Sequence, residues 1–547
     1  MRTADRAWLR VTILFSVMTA VATWPQVLRP GDVPANQDSW LNLWRLSWIA
    51  YQLPRDPVHL FDTNIYFPER ATLAYSDATL LQGLVAAPLF WLGVPTPYVY
   101  NLLVLGSFVF AGVAAWALVS QLTGSRRAGI IAGVIFAFTP YRFDHYMHLE
   151  LLWTGWMPLT LLAVHRAIER GTVGSGIAVG LLFAAQGLSC IYYAVLFATV
   201  LAVFCAVLTV PMPRVRLARA AVSLGCGALV AATFLAPYLM PYRRARTTVG
   251  ERSANDALLF GAGPTHYISA TPSNLLYGSL TARLGRHEKR LFPGLIAIAL
   301  AGTGLWPPLC RRRIAYLIAL LLAIDLSFGP RGLSYDLFRE YLLPYKGIRA
   351  IARAGSIALL MVAVLAGFGW ARLEQMARLR ERARTFAAFS VVIAAMMLEY
   401  ATMPLKLIPA PRQPEPVYQW LAAKADGGAV LELPVPDIYT APLMDPEFMY
   451  WSTFHWHPLV NGYSGNVPTS YLDLMRGMQT FPSDAEIERL RRMGVRYVVV
   501  HERFYGSNRY REVTAALDAR SDVVKQQSFG HAGEEVTVYS PTAAVHD

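Results

Sequence analysis

The sequence predicts a mainly α, polytopic helical membrane protein with about eleven transmembrane helices and a small C-terminal α/β extracytoplasmic domain. Three observations carry this reading. Of 547 residues, 55% are hydrophobic and only 16% charged, whereas soluble domains carry about 25% charged residues; the mean hydropathy is +0.35. Long apolar runs recur as far as residue 398, many of them sufficient for about 30 Å of hydrocarbon. Arginine clusters fall in every second connection between those runs, as the positive-inside rule requires. The division falls near residue 400, with a transmembrane domain over 1–400 and an extracytoplasmic domain over 401–547.

The apolar runs lie at 8–27, 100–122, 128–138, 151–164, 176–188, 191–210, 220–240, 292–306, 314–328, 351–368 and 386–398. The shorter ones must extend into flanking polar sequence to span. Arg2, Arg6 and Arg10 surround the start of the first run, and Ala20-Val21-Ala22 has the small-x-small form of a signal-peptidase site. The many later spans favour an uncleaved first helix. Arg126/Arg127, Arg166/Arg170, Arg214/Arg216/Arg219, Arg311/Arg312/Arg313 and Arg372/Arg378/Arg380/Arg382/Arg384 mark the cytoplasmic connections, together with the N-terminus. This topology holds if 80–92, which contains Pro88, is an interfacial or re-entrant helix rather than a span. The C-terminus is then outside. Membrane sidedness accounts for the net charge of +13, so no nucleic-acid partner is implied. Cys190, Cys205, Cys226 and Cys310 form no CxxC pair, and neither a disulfide framework nor a cysteine zinc site is indicated.

The polar chemistry gathers on the outer side, in 29–77, 140–150, 189–193, 242–290, 329–350 and the residues after 400. In the first outer loop, 29–77, Asp38 is followed by Trp40, Trp44 and Trp48. Their i, i+4, i+8 spacing puts three indoles on one helical face, suited to a helix at a membrane–water boundary. Asp38 has two readings: an acidic group for chemistry, or the N-cap of that helix. The connection PYRFDHYMHLE holds Arg142, Asp144, His145, His148 and Glu150. His145 and His148 at i, i+3 beside carboxylates admit a divalent metal; a hydrated interfacial loop is the plainer reading. Tyr192 and Tyr193 form another outer turn.

Lys346, Arg349 and Arg353, at i, i+3, i+7 where a span begins, predict a one-sided helical row of cations. Such a row suits a phosphate or diphosphate, or anchors the chain to lipid phosphates. Beyond Pro-rich PAPRQPEP, runs at 429–431 and 495–500 read as strands among helices at 417–424, 470–478 and 483–493. Tyr463 lies in an aromatic, polar loop suited to binding a glycan or to docking on the membrane part.

One stretch carries a resemblance. Residues 38–76 read DSWLNLWRLSWIAYQLPRDPVHLFDTNIYFPERATLAYS, and further on a span ends inside at TGSRR and the next ends outside at PYR. This resembles bacterial members of the GT-C superfamily of membrane glycosyltransferases, well over about the first 200 residues and loosely beyond. The resemblance implies an inverting enzyme of the bacterial inner membrane. Its donor would be a polyprenyl-phosphate sugar, and its acceptor an extracytoplasmic glycan, lipid or protein. It places Asp38 as the base or acceptor-orienting carboxylate, with His148 or Glu150 at the position of a second outer-loop group. Beside the resemblance, the cation row makes Lys346, Arg349 and Arg353 candidate donor-phosphate ligands, and Arg142, His145, Tyr192, Tyr193 and Tyr463 are candidates for acceptor or supporting roles. No cofactor is required, and a divalent metal is admitted. No DxD or WWD-type motif accompanies these residues, which argues against transfer of oligosaccharide to asparagine. A lipid-linked glycan transporter or flippase and a non-catalytic cell-envelope assembly protein are the rival readings.

Overall fold

The computed structural model describes residues 2–210, 212–377, 382–437, 444–530 and 533–541. Arg378 and Arg380 of the last arginine cluster lie outside the described residues. Contacts divide the chain into two compact units: 1–34, 101–238 and 251–407 in the first, 35–100, 239–250 and 408–547 in the second.

The first unit is helical. α1 (Arg2–Ala22) is followed by helices that include Arg126–Phe138, Trp156–Arg170, Val173–Ser189, Ile191–Thr209, Leu295–Gly304, Arg311–Ser327, Gly355–Ala377 and Arg382–Tyr400. Four helices among the described residues are long and apolar enough to cross a membrane: Thr96–Thr123, Ile191–Thr209, Arg214–Val249 and Ile351–Met376. Leu80–Trp91, Val173–Ser189, Leu295–Gly304 and Phe386–Tyr400 are shorter apolar helices. The chain is thus a multi-pass helical membrane protein.

The run at 151–164 is not one helix. A single turn, Leu149–Leu152, stops before Trp153, and a new helix begins at Trp156. Pro158 explains the restart, because proline is accommodated in the first turn of a helix and breaks an interior one.

Small residues set the packing. A Cβ on Gly176 or Gly180 would run into the carbonyls of Ser223 and Gly227 on the facing helix, and one on Gly304 or Gly369 into Leu365 and Leu300. Backbones that close leave no room for side chains, the device by which helices associate in lipid, where the hydrophobic effect does not pull them together. Gly355–Ala377 runs through the interior, with Ile357, Leu360, Val364 and Leu365 fully buried, whereas Val215, Val222, Leu229 and Phe234 face outward.

In the second unit, α2 (Gln37–Gln52) packs on α3 (Leu80–Trp91) and on the helix Asp445–Ser452. A four-stranded mixed sheet has the order β1-β2-β4-β3, from β1 (Ala429–Leu433), β2 (Val495–His501), β3 (Val523–Phe529) and β4 (Val536–Pro541). β1 and β2 are parallel, with Leu431 opposite Val498; β4 runs antiparallel to both β2 and β3. β1 and β2 are largely apolar and almost wholly buried, with Glu432 and His501 paired to each other inside.

The tryptophan face of α2 differs from its expected setting. Trp44 and Trp48 are buried, their indole N–H groups donating to Asn64 Oδ1 (3.1 Å) and to the Leu60 carbonyl (2.8 Å). Trp40 lies against Tyr450 (ring centroids 5.4 Å apart), and Trp48 and Tyr51 pack on Trp456 at 5.7 and 4.2 Å. The indoles therefore join α2 to the interior of its own unit rather than to a membrane–water boundary. Periodicity shows that a face is apolar, but it does not distinguish a lipid-facing face from a core-facing one.

Candidate functional site

On α2 the N-cap is Asn36, whose side chain accepts from the Asp38 N–H (2.9 Å). Asp38 sits in the first helical turn and does not perform the capping its position suggested. Its Oδ1 accepts from the Tyr463 hydroxyl at 3.1 Å, so these two sequence-selected residues, 425 positions apart, meet within one unit. One turn on, Asn42 donates to the Asp38 carbonyl (2.9 Å) and receives from Arg45 (3.2 Å), whose second amino group reaches Ser76 Oγ (2.8 Å). Asp38, Asn42 and Arg45 follow the i, i+4, i+7 spacing of one helical face. Arg45 is a buried guanidinium, and its apolar sequence neighbours Leu43, Trp44 and Leu46 are the signal by which such a residue can be singled out.

The first unit holds a second constellation. His145 and His148 approach through their Nδ1 atoms at 3.2 Å, and the His287 ring lies 5.3 and 6.0 Å from theirs. His145, His148 and Glu288 each place one ligating atom within 4.8 Å of the others. Glu288 pairs with Arg353 through both oxygens, at 3.1 and 3.3 Å. Burial works to raise the Glu288 carboxyl, but the Arg353 guanidinium outweighs it and holds it well below the usual carboxylate range. Burial pushes His145 well below the ordinary histidine range, leaving its ring neutral. Beside them, Asp144 is bound by Arg290 (2.9 Å); burial nevertheless raises its carboxyl above the ordinary value. Glu288 and Arg290 belong to the run HEKR within the outer loop 242–290. Its alternation of imidazole, carboxylate and cations is the signal that marks them.

Other predicted residues are placed differently. Lys346, Arg349 and Arg353 do not share a helix. Lys346 is in a one-turn 3-10 helix, Leu343–Gly347, and Arg353 in another, Ile351–Ala354, with extended backbone at Ile348 between them. The i, i+3, i+7 row is lost because the chain turns before the long helix starts at Gly355. Arg349 packs over the Phe260 ring at 4.9 Å and Arg353 over Tyr192 at 5.1 Å. Arg142 points inward, donating to Thr154 Oγ1 and the Leu152 carbonyl (both 2.9 Å) and lying 4.7 Å from the Phe108 ring centroid. It braces the 140–150 connection. Tyr193 is buried with its hydroxyl 3.3 Å from that of Tyr141, and Glu150 is buried in the turn Leu149–Leu152.

No protein-family model matches the chain, and no curated protein matches it in sequence. Solved structures do. Two particle classes of a mutant arabinofuranosyltransferase AftD from Mycobacteria superpose with TM-scores of 0.65 and 0.62, at 16% and 17% identity, over 99% and 98% of this chain. The chain spans 42% of the AftD length. ArnT from Cupriavidus metallidurans in the apo state gives a TM-score of 0.48 at 12% identity, over 98% of both chains, too distant to argue from. The fold that surrounds these residues is therefore the GT-C fold.

Proposed function

We propose that the chain is a membrane glycosyltransferase of GT-C type, moving a sugar from a polyprenyl-phosphate donor to an extracytoplasmic glycan, lipid or protein acceptor. Fold alone does not give function. The observation that supports the reading most is the Asp38 carboxylate: Asn36 relieves it of capping, and the Tyr463 hydroxyl orients it.

In the transfer, the acceptor oxygen attacks the anomeric carbon and its proton passes to Asp38. The electrons of the breaking carbon–oxygen bond leave with the polyprenyl phosphate, and the anomeric centre inverts. The oxocarbenium-like transition state makes no cofactor obligatory. In the first unit, Lys346 and Arg349 are proposed as phosphate-binding cations, since fixed cations stabilise phosphate charge. Arg353, in the same unit, is paired with Glu288. The setting is the bacterial inner membrane, with the N-terminus in the cytoplasm, about eleven spans over 1–400, and 401–547 outside.

The neighbour AftD transfers arabinofuranose, so pentofuranosyl phosphates of polyprenol are the first donors to test. The experiment uses the purified full chain in nanodiscs with labelled polyprenyl-phosphate sugars and envelope glycan acceptors. Transfer of label with release of polyprenyl phosphate is expected. Label that crosses a proteoliposome bilayer while still on its lipid, with no product, would establish the transporter instead.

A further inference from the structure

We propose that His145, His148 and Glu288 hold one zinc-class divalent ion that clips the 251–290 segment onto the 140–150 connection. This goes beyond the transfer reading and does not depend on it.

Two imidazoles and a carboxylate are the ligand types that zinc takes, at about 2.0–2.2 Å. Two nitrogens bound to one tetrahedral ion at such lengths stand about 3.3 Å apart; the Nδ1 atoms of His145 and His148 are 3.2 Å apart. One ligating atom from each of His145, His148 and Glu288 lies within 4.8 Å of the others.

The His145 ring is fully buried, so a ligand there would be shielded from bulk water. Glu288 is also held as a metal ligand is held. Arg353 engages both of its oxygens, each with a further lone pair to give, and outer partners of this kind orient ligating carboxylates. His287, on the same turn as Glu288 and 5.3 Å from His145 by ring centroid, or a water, completes the tetrahedron.

The ligands come from two outer segments, 140–150 and 251–290, that the Asp144–Arg290 ion pair also joins. An ion there converts a salt bridge between segments into a cross-link, and binding to the folded form alone adds to its stability.

The test is the metal content of the full chain, purified through a tag without histidines and equilibrated with buffered zinc. About one zinc per chain is expected, falling to about a tenth or less in His145→Ala and in Glu288→Gln. His148→Cys, which keeps a zinc ligand at that position, should retain the ion and so separates ligand loss from misfolding. With cobalt substituted, the visible absorption of a tetrahedral site should appear in the wild type and be absent from His145→Ala. A chelator should lower Tm in the wild type and leave Tm of Glu288→Gln unmoved. A wild-type chain without stoichiometric zinc, or a His145→Ala variant that keeps it, overturns the proposal. None of these readouts requires transfer activity.

Discussion

In the second unit, Asp445 is a buried carboxylate whose described partners include no cation. Asp445 is fully buried, accepting from the Tyr471 hydroxyl (2.7 Å) and from Asn461 (3.1 Å). Burial, only partly offset by these hydrogen bonds, lifts its pKa from 3.8 to about 7. A raised acid binds more protons folded than unfolded between those values. Its contribution to stability is therefore complete below about pH 4 and is lost as pH rises through about 7, by at most a few kcal/mol. In the wild type, the unfolding transition of this unit should weaken from pH 5 to pH 8. Asp445→Asn should flatten that dependence and be the more stable form at pH 8. Parallel slopes in thermal unfolding for both proteins would refute the assignment. Asp445 was invisible in the sequence, because nothing local to DPEF distinguishes a buried aspartate from a helix-start aspartate at the surface.

α2 shows how far an element was legible. Its existence, and the shared face of Trp40, Trp44 and Trp48, follow from spacing alone. The surface that receives that face, Tyr450 and Trp456, lies some four hundred residues away, and such pairing leaves no mark on local periodicity. The long apolar helix Ile191–Thr209 was legible because it repeats one signal many times, and the strands at 429–433 and 495–501 fall where short apolar runs place them. β3 carries none, because on this exposed edge strand only Val523 is buried. The cation row failed because three charges at helical spacing do not make a helix where Gly347 and Ile348 let the backbone extend. If α2 is fixed by its indoles, Trp48→Ala should lower stability by about 3–5 kcal/mol, read as a fall in Tm in detergent and faster proteolysis of the second unit. A helix merely resting on lipid would leave both unchanged.

At the scale of the molecule, the arginine pattern predicts opposite sides of the membrane for the Arg126 connection and the C-terminal part. In a background with the four cysteines replaced, Lys525→Cys should react with a membrane-impermeant maleimide on intact cells, and Arg126→Cys only after permeabilisation. The reverse labelling would invert the topology. The central claim is narrower: Asp38 is the base of a sugar transfer and not a structural carboxylate. Its position was legible in the first loop; that Asn36 takes the capping role and Tyr463 the orienting one was not, because both depend on backbone geometry and on chain brought from far away. The most direct measurement is single-turnover transfer from a labelled polyprenyl-phosphate sugar by wild type and Asp38→Asn, with Tm measured on the same preparations. The account predicts a loss of about a hundredfold to ten-thousandfold at unchanged Tm. Transfer by Asp38→Asn within a few fold of wild type would contradict it.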